Sequence, residues 1–178
     1  MITLLQVLAQ AAMEQEFDVK TSELHGLAQR GGSVQAHLRF GKKIFSPLVP
    51  QKNADLIIAL EAQEALNGLR YAKEKTVFLI NEYIKPLAAA KNLSAKKIIK
   101  KIEKTSRKIL LVPASKIARE HLKNEVLAGI YLIGLAVFRK ILPLEKKSLL
   151  EAIKKVIPAR YLSANLQAIE LAEKNAKK

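Results

Sequence analysis

The polar residues with the most chemical potential gather in one stretch, Thr21-Ser22-Glu23-Leu24-His25-Gly26-Leu27-Ala28-Gln29-Arg30-Gly31-Gly32-Ser33. Thr21, Ser22, Glu23, His25, Gln29 and Arg30 supply hydroxyls, a carboxylate, an imidazole, an amide and a guanidinium within a few residues of one another. Gly26 and the pair Gly31-Gly32 permit positive φ and close approach of a partner to the backbone. Arg30 carries a planar fork of donors suited to a carboxylate or another anion. Two readings stand side by side. One is a binding loop at the carboxyl end of a strand, where α/β sheets place their ligands. The other is a structural connection. So long a stretch without an apolar cluster is uncommon in a compact domain, which favours the binding loop.

Other chemistries find less support. His25, His37 and His121 lack the i, i+4 spacing of a helical metal pair. A Ser22–His25–Asp18 triad has no nucleophile elbow to carry it. Glu61 and Glu64 share a helix face and read as a solvated pair. No glycine-rich phosphate loop is present. The chain has no cysteine, which excludes disulfides, thiolate-held iron–sulfur clusters and cysteine-based zinc sites. The residues describe a binding domain without an autonomous catalytic centre.

The formal charge is +15 over 178 residues, enough to attract polyanions or acidic proteins over long range. Eight of the basic residues lie between Lys91 and Lys108, against Glu103 alone. A basic nucleic-acid-binding or protein-interaction module using this helix is one reading; a solvated helix face is the other. The scarcity of aromatics and the lack of tryptophan count against stacking platforms for single strands. The longest apolar run, Val126 to Phe138, is too short for a bilayer and reads as a buried helix, so no membrane partner is expected. The N-terminus has no basic segment before its apolar residues, and a cytoplasmic location is expected.

The elements that must position the polar stretch follow from periodicity. Met1 to Met13 reads as a helix, with Leu4, Leu5, Leu8, Ala11 and Ala12 near helical spacing. Phe17 to Ser22 reads as a short strand. Ser33 to Phe40 alternates cleanly, with Gln35, His37 and Arg39 on its polar face. Gly41-Lys42-Lys43 would then turn it into Ile44 to Val49 as an inserted β-hairpin, closed by Pro47 and Pro50. Ala54 to Leu60 is a continuous apolar run, as expected of a strand buried on both faces. A helix over Glu61 to Lys73, strands over Thr76 to Asn81 and Arg107 to Val112, and a basic helix over Ser94 to Lys104 with Ile98, Ile99 and Ile102 inward complete the alternation. This predicts an α/β fold with a mostly parallel sheet covered by helices. The C-terminal part is helical: Ser115 to Leu122, Asn124 to Ile141, a helix between Pro143 and Pro158, and a last one from Ser163 with Leu166 and Ile169 inward. A single domain over 1–178 is expected.

The stretch from Asp18-Val19-Lys20 through Ser33-Val34 resembles the signature of the indolepyruvate ferredoxin oxidoreductase β subunit, itself similar to the γ subunits of pyruvate and 2-oxoglutarate ferredoxin oxidoreductases. Ser46-Pro47-Leu48-Val49, Ala54-Asp55-Leu56-Ile57-Ile58-Ala59-Leu60-Glu61, Glu64-Ala65-Leu66, Asn124-Glu125-Val126-Leu127-Ala128-Gly129, Leu142-Pro143 and Asn165-Leu166-Gln167-Ala168 agree in order. The resemblance implies a subunit without clusters, inactive alone, partnered by a large thiamine-dependent subunit and served by an acidic ferredoxin. Thiamine diphosphate, iron–sulfur clusters and coenzyme A would belong to the complex, with none bound by this chain alone. It implies that Thr21 to Ser33, including Ser22, Glu23, His25, Gly26, Gln29, Arg30, Gly31 and Gly32, forms the interface and substrate-access loop, with Arg30 meeting an anion. Family members carry a strand and a glycine-rich turn ahead of the helix that begins here at Met1. Their absence implies a start assigned downstream or a shortened product with an incomplete sheet.

Overall fold

The computed structural model describes residues 2–25, 33–85 and 93–177, with the side chains of Leu24 and His25 also outside the description. The protein is mixed α/β. Two compact units divide the chain, one from Met1–Val49 with Ile133–Lys178, the other Pro50–Leu132.

The first unit opens with α1 (Ile2–Met13), whose Leu5, Val7, Leu8, Ala11 and Ala12 are buried. Glu16 at φ 60° reverses the chain, while the Phe17 N–H returns to the Ala12 carbonyl. That left-handed residue ends the helix and launches a strand. β1 (Asp18–His25) and β2 (Val34–Gly41) then pair antiparallel, from Asp18 opposite Gly41 to His25 opposite Val34. Phe17 and Phe40 meet at the base of this ribbon, ring centroids 5.4 Å apart. Three helices complete the unit: α4 (Ala128–Phe138), within which the division falls, α5 (Lys146–Val156) and α6 (Ala159–Ala176). Leu149 and Ile153 of α5 and Ile169 of α6 are fully buried, each contributing on the order of 2 kcal/mol of transfer free energy. Gly134 lets α4 and α6 touch: a Cβ there would stand 2.9 Å from the Ala172 Cβ. Outside, Lys155 pairs with Glu14 and Lys146 with Glu173, both at 2.7 Å. The Lys155 and Gln10 hydrogen bonds hold the Glu14 carboxyl below its ordinary range, and Lys146 does the same to Glu173.

The second unit is a parallel sheet in the order β3 (Ala54–Ala59), β4 (Ala72–Asn81), β5 (Lys108–Val112). Phe78, Leu79 and Ile80 of β4 are fully buried, as the apolar run requires. α2 (Ala95–Ile102) buries Ile98 and Ile102 in the cluster that contains Phe78 and Ile80, with Ile99 half-buried. α3 (Ala114–Leu122) follows β5.

Four sequence expectations are corrected. Ser33 to Phe40 does not pair forward with Ile44 to Val49; β2 pairs back with β1, and 44–49 forms no strand. The helix expected over Glu61 to Lys73 is a 3-10 helix, Gln63–Tyr71, with Gly68 packed so closely that its Cβ would lie 2.9 Å from Ile57 Cγ2. The helix expected over Asn124 to Ile141 is split, because the Asn124 side chain takes the Val126 N–H at 3.1 Å and starts a 3-10 turn, Glu125–Leu127, ahead of α4. The last helix also begins earlier than expected, at Ala159 directly after Pro158, where a proline at the entrance costs no helical hydrogen bond.

Candidate docking site on the antiparallel ribbon

The described part of the polar stretch lies on β1 and beside the start of β2. Thr21, Ser22 and Glu23 lie in β1, opposite Leu38, His37 and Ala36 of β2. His25 pairs through its backbone with Val34, so residues 26–33 join the two paired strand ends. Thr21 and Ser33 are exposed; Ser22 and Glu23 are half-buried. Gly26, Gln29, Arg30, Gly31 and Gly32 lie outside the described residues, as does the His25 side chain. The loop therefore follows the carboxyl end of a strand, yet that strand belongs to a two-stranded antiparallel sheet and not to the parallel one. An antiparallel pair needs only a short connection between its adjacent ends.

This placement disposes of the triad. Asp18 and His25 are seven positions apart on an extended strand, roughly 23 Å at its rise per residue. Asp18 is also engaged elsewhere: its Oδ2 accepts the Ile44 N–H at 2.7 Å, and Oδ1 lies 3.7 Å from the Lys20 ammonium. Among the described residues no group of three or more His, Asp or Glu is placed to hold a metal ion.

The polar face of β2 has a task that sequence reasoning missed. His37, only 5% exposed, accepts the Val49 N–H on Nδ1 at 2.9 Å. That bond requires a lone pair on Nδ1, so the ring's proton sits on Nε2. Arg39 donates through Nη1 to the Ser46 carbonyl at 2.9 Å and to the Leu48 carbonyl at 3.4 Å. With Asp18 on Ile44, three side chains bind the backbone of 44–49 at four points. They replace the ladder that Pro47 would interrupt. Phe45 is left 82% exposed and Leu48 49% exposed on the segment so held. The available signal was the placement of two long polar residues, His37 and Arg39, on one face of a strand followed by a proline-containing run.

A second polar knot closes the carboxyl edge of the parallel sheet. Asn81, 2% exposed, donates to the Leu60 carbonyl at 3.0 Å and to Ser115 Oγ at 2.8 Å, and its Oδ1 accepts the Ser115 N–H at 3.1 Å. One amide at the end of β4 thus joins the end of β3 to the first turn of α3, which follows β5. Beside it Glu61 accepts the Glu64 N–H at 2.9 Å and the Lys85 N–H at 3.1 Å. Glu61 therefore caps a turn and does not pair with Glu64 as a solvated face.

The profile of the pyruvate ferredoxin/flavodoxin oxidoreductase family matches residues 1–174. The chain belongs to that family. It is 32% identical over 176 residues to the indolepyruvate oxidoreductase subunit IorB of Archaeoglobus fulgidus, covering 96% of this chain and 86% of the relative. Its fold is that of the keto/oxoacid ferredoxin oxidoreductase gamma subunit of Geobacter sulfurreducens, with a TM-score of 0.69 at 16% identity, over 98% of this chain and 90% of that one. The pyruvate oxidoreductase subunit PORC of Thermotoga maritima gives a TM-score of 0.64 at 19% identity, over 97% and 87%. The family profile spans both compact units, and the stretches of resemblance fall on structural joints: Asp18 and Ser46–Val49 on the pinning of 44–49, Asn124 on the 3-10 cap, Asn165 on a partly buried hydrogen bond to the Tyr161 carbonyl. Among the described residues no helix is long and apolar enough to cross a membrane.

Proposed function

We propose that this chain is the cluster-free subunit of a thiamine-dependent 2-oxoacid:ferredoxin oxidoreductase of the indolepyruvate/pyruvate type, working in the cytoplasm as one gamma-type domain. By itself it is inactive. With a large catalytic subunit it takes part in oxidative decarboxylation of a 2-oxoacid to its acyl-coenzyme A, and ferredoxin receives the electrons. The observation that carries this reading is the likeness to an IorB subunit along nearly the whole chain. The lack of cysteine supports it, because a chain without thiolates leaves the iron–sulfur clusters to another subunit. Thiamine diphosphate and coenzyme A supply carbanion stabilisation and acyl acceptance in the complex.

The part assigned to this chain is docking and substrate access. Thr21, Ser22, Glu23, His25, Gly26, Gln29, Arg30, Gly31, Gly32 and Ser33 meet the large subunit beside its reaction centre. The glycines admit a close backbone approach, and Arg30 faces a carboxylate. What supports the assignment is that Thr21 to His25 belong to a continuously paired ladder whose two ends the remainder of the stretch connects.

Reconstitution tests the reading. The chain is mixed with the large subunit encoded beside it, and viologen reduction is followed with indolepyruvate, phenylpyruvate, pyruvate and 2-oxoglutarate. Turnover that requires both chains is expected, with neither active alone. Arg30→Ala should cut turnover at least tenfold while the complex still forms. Turnover by the large subunit alone, or an Arg30→Ala complex at full rate, would refute the subunit role or the loop assignment respectively.

A further inference from the structure

α2 is electrostatically unlike the other helices of this protein. The other charge-bearing helices each take part in at least one ion pair: Lys116 with Glu120 on α3, Lys154 with Glu151 on α5, and Lys146 of α5 with Glu173 of α6. On α2 and the turn after it, Lys96, Lys97, Lys100, Lys101, Lys104, Arg107 and Lys108 are all exposed. None of them forms an ion pair with a described residue. Lys96 with Lys100 and Lys97 with Lys101 are like charges at i, i+4, the repulsive arrangement on a helix surface. Lys96 and Lys97 also occupy the first turn, where no acid accompanies them and the helix dipole already presents its positive end. A face needed only for solubility would mix its signs. This one is held positive against its own repulsion.

The composition of the face selects the partner. Residues 93–108 contain six lysines that are described and a single arginine, with no aromatic residue. Permanent subunit interfaces are enriched in aromatics and arginine and depleted of lysine, so this is not the surface that joins the large subunit. Nucleic-acid readout favours arginine forks and stacking aromatics, both lacking here. Well-hydrated lysine ammonium groups spread over a helix suit brief encounter with an acidic protein, where charge sets the association rate. We propose that the exposed face of α2 is a docking and steering surface for the acidic electron-carrier protein that leaves with the product electrons. This rests on the oxidoreductase reading for the carrier's identity, though not for the charge of the face.

The test uses the reconstituted complex, with a purified acidic ferredoxin and, separately, cationic methyl viologen as acceptors. In one variant Lys96, Lys97, Lys100 and Lys101 are each replaced by Glu. In a control of equal formal charge Lys42, Lys123, Lys147 and Lys174 are replaced instead. The α2 variant should raise the ferredoxin KM about tenfold or more at low salt, with the gap closing near ~0.5 M salt as screening shortens the charge range. Its viologen turnover should match the unmodified complex, which also shows that the variant folds. The control should change the ferredoxin KM less than about threefold. An unchanged KM in the α2 variant, or equal increases in both, overturns the proposal. So does tight duplex DNA binding that the α2 changes abolish while ferredoxin kinetics stay the same. Direct binding of ferredoxin to the immobilised full chain needs no turnover. If viologen activity is absent and the oxidoreductase reading itself fails, that binding still decides: loss in the α2 variant alone supports the docking face, and equal binding by all three proteins overturns it.

Discussion

Replacing His37 with Phe keeps an aromatic ring in the buried site and removes one acceptor, the Nδ1 that takes the Val49 N–H at 2.9 Å. An amide that loses its acceptor in a partly buried place costs about 1–3 kcal/mol. At 1.4 kcal/mol per factor of ten, local opening of 44–49 should become easier by roughly 5- to 150-fold. Hydrogen exchange followed by mass spectrometry on a peptide spanning Val49 reads this change directly. The geometry also specifies a rescue. An Asn side chain at 37 places its Oδ1 near the position of the lost Nδ1, whereas Gln reaches toward the Nε2 position. His37→Asn should recover most of the protection at Val49, and His37→Gln should not. If the Phe variant exchanges within a factor of two of the unmodified protein, or if Gln rescues as well as Asn, the segment is held by packing and the pinning account is wrong.

Other expectations follow from the same geometry. Asn81→Ala deletes three hydrogen bonds, a loss of roughly 3 kcal/mol at about 1 kcal/mol each, so the urea midpoint should fall by ~1–2 M; a shift under ~0.3 M would show that the knot is replaced by water. Gly134→Ala gains about 1 kcal/mol of helix propensity but drives a methyl to 2.9 Å from Ala172 Cβ and Ile169 Cδ1. Net destabilisation of up to ~2 kcal/mol is expected, relieved by Ala172→Gly in a double-mutant cycle; strict additivity would contradict the contact. Glu14 and Glu173 have folded-state pKa values below their unfolded ones. Their contribution is therefore present above the ordinary carboxylate range and is lost as pH falls through the lowered values. A Lys155→Met, Lys146→Met double variant should be less stable at neutral pH, with the gap closing on acidification; a constant gap would assign the loss to packing.

The parts of this fold legible in the sequence were those written locally. The apolar run Ala54 to Leu60 became β3, though at the end of the order β3-β4-β5 its Leu56 to Ile58 are half-buried and not enclosed on both faces as expected; Ile98 with Ile102 became the buried stripe of α2, because helical spacing records burial directly. Ser33 to Phe40 was legible as a strand but not as a partner, since alternation says which face is buried and nothing about which neighbour pairs. The deciding bonds, such as Asp18 to Ile44, join residues far apart in sequence. The 3-10 helix at Gln63–Tyr71 was likewise hidden, because the contact between Gly68 and Ile57 is tertiary. At the candidate site, residue types pointed to the stretch Thr21 to Ser33, while the pairing of Thr21 to His25 with β2 is a long-range choice that no local pattern records.

The ribbon can also be considered as a beam. Seven steps of the ladder separate its base at Asp18 and Gly41 from its end at His25 and Val34, a length of about 23 Å at the rise of a strand. A pair of strands alone bends and twists easily, and an angular play of about 5° at the base would move such an end by ~2 Å. The segment 44–49 runs beside it as a splint, fastened at Asp18, Arg39 and His37. Only three pairs extend past the last of these fastenings, a length of about 10 Å. The same angular play there displaces the end by roughly 1 Å, the scale at which misplacement in a reactive assembly begins to cost rate. Loosening a splint far from the tip should therefore be felt as lost aim.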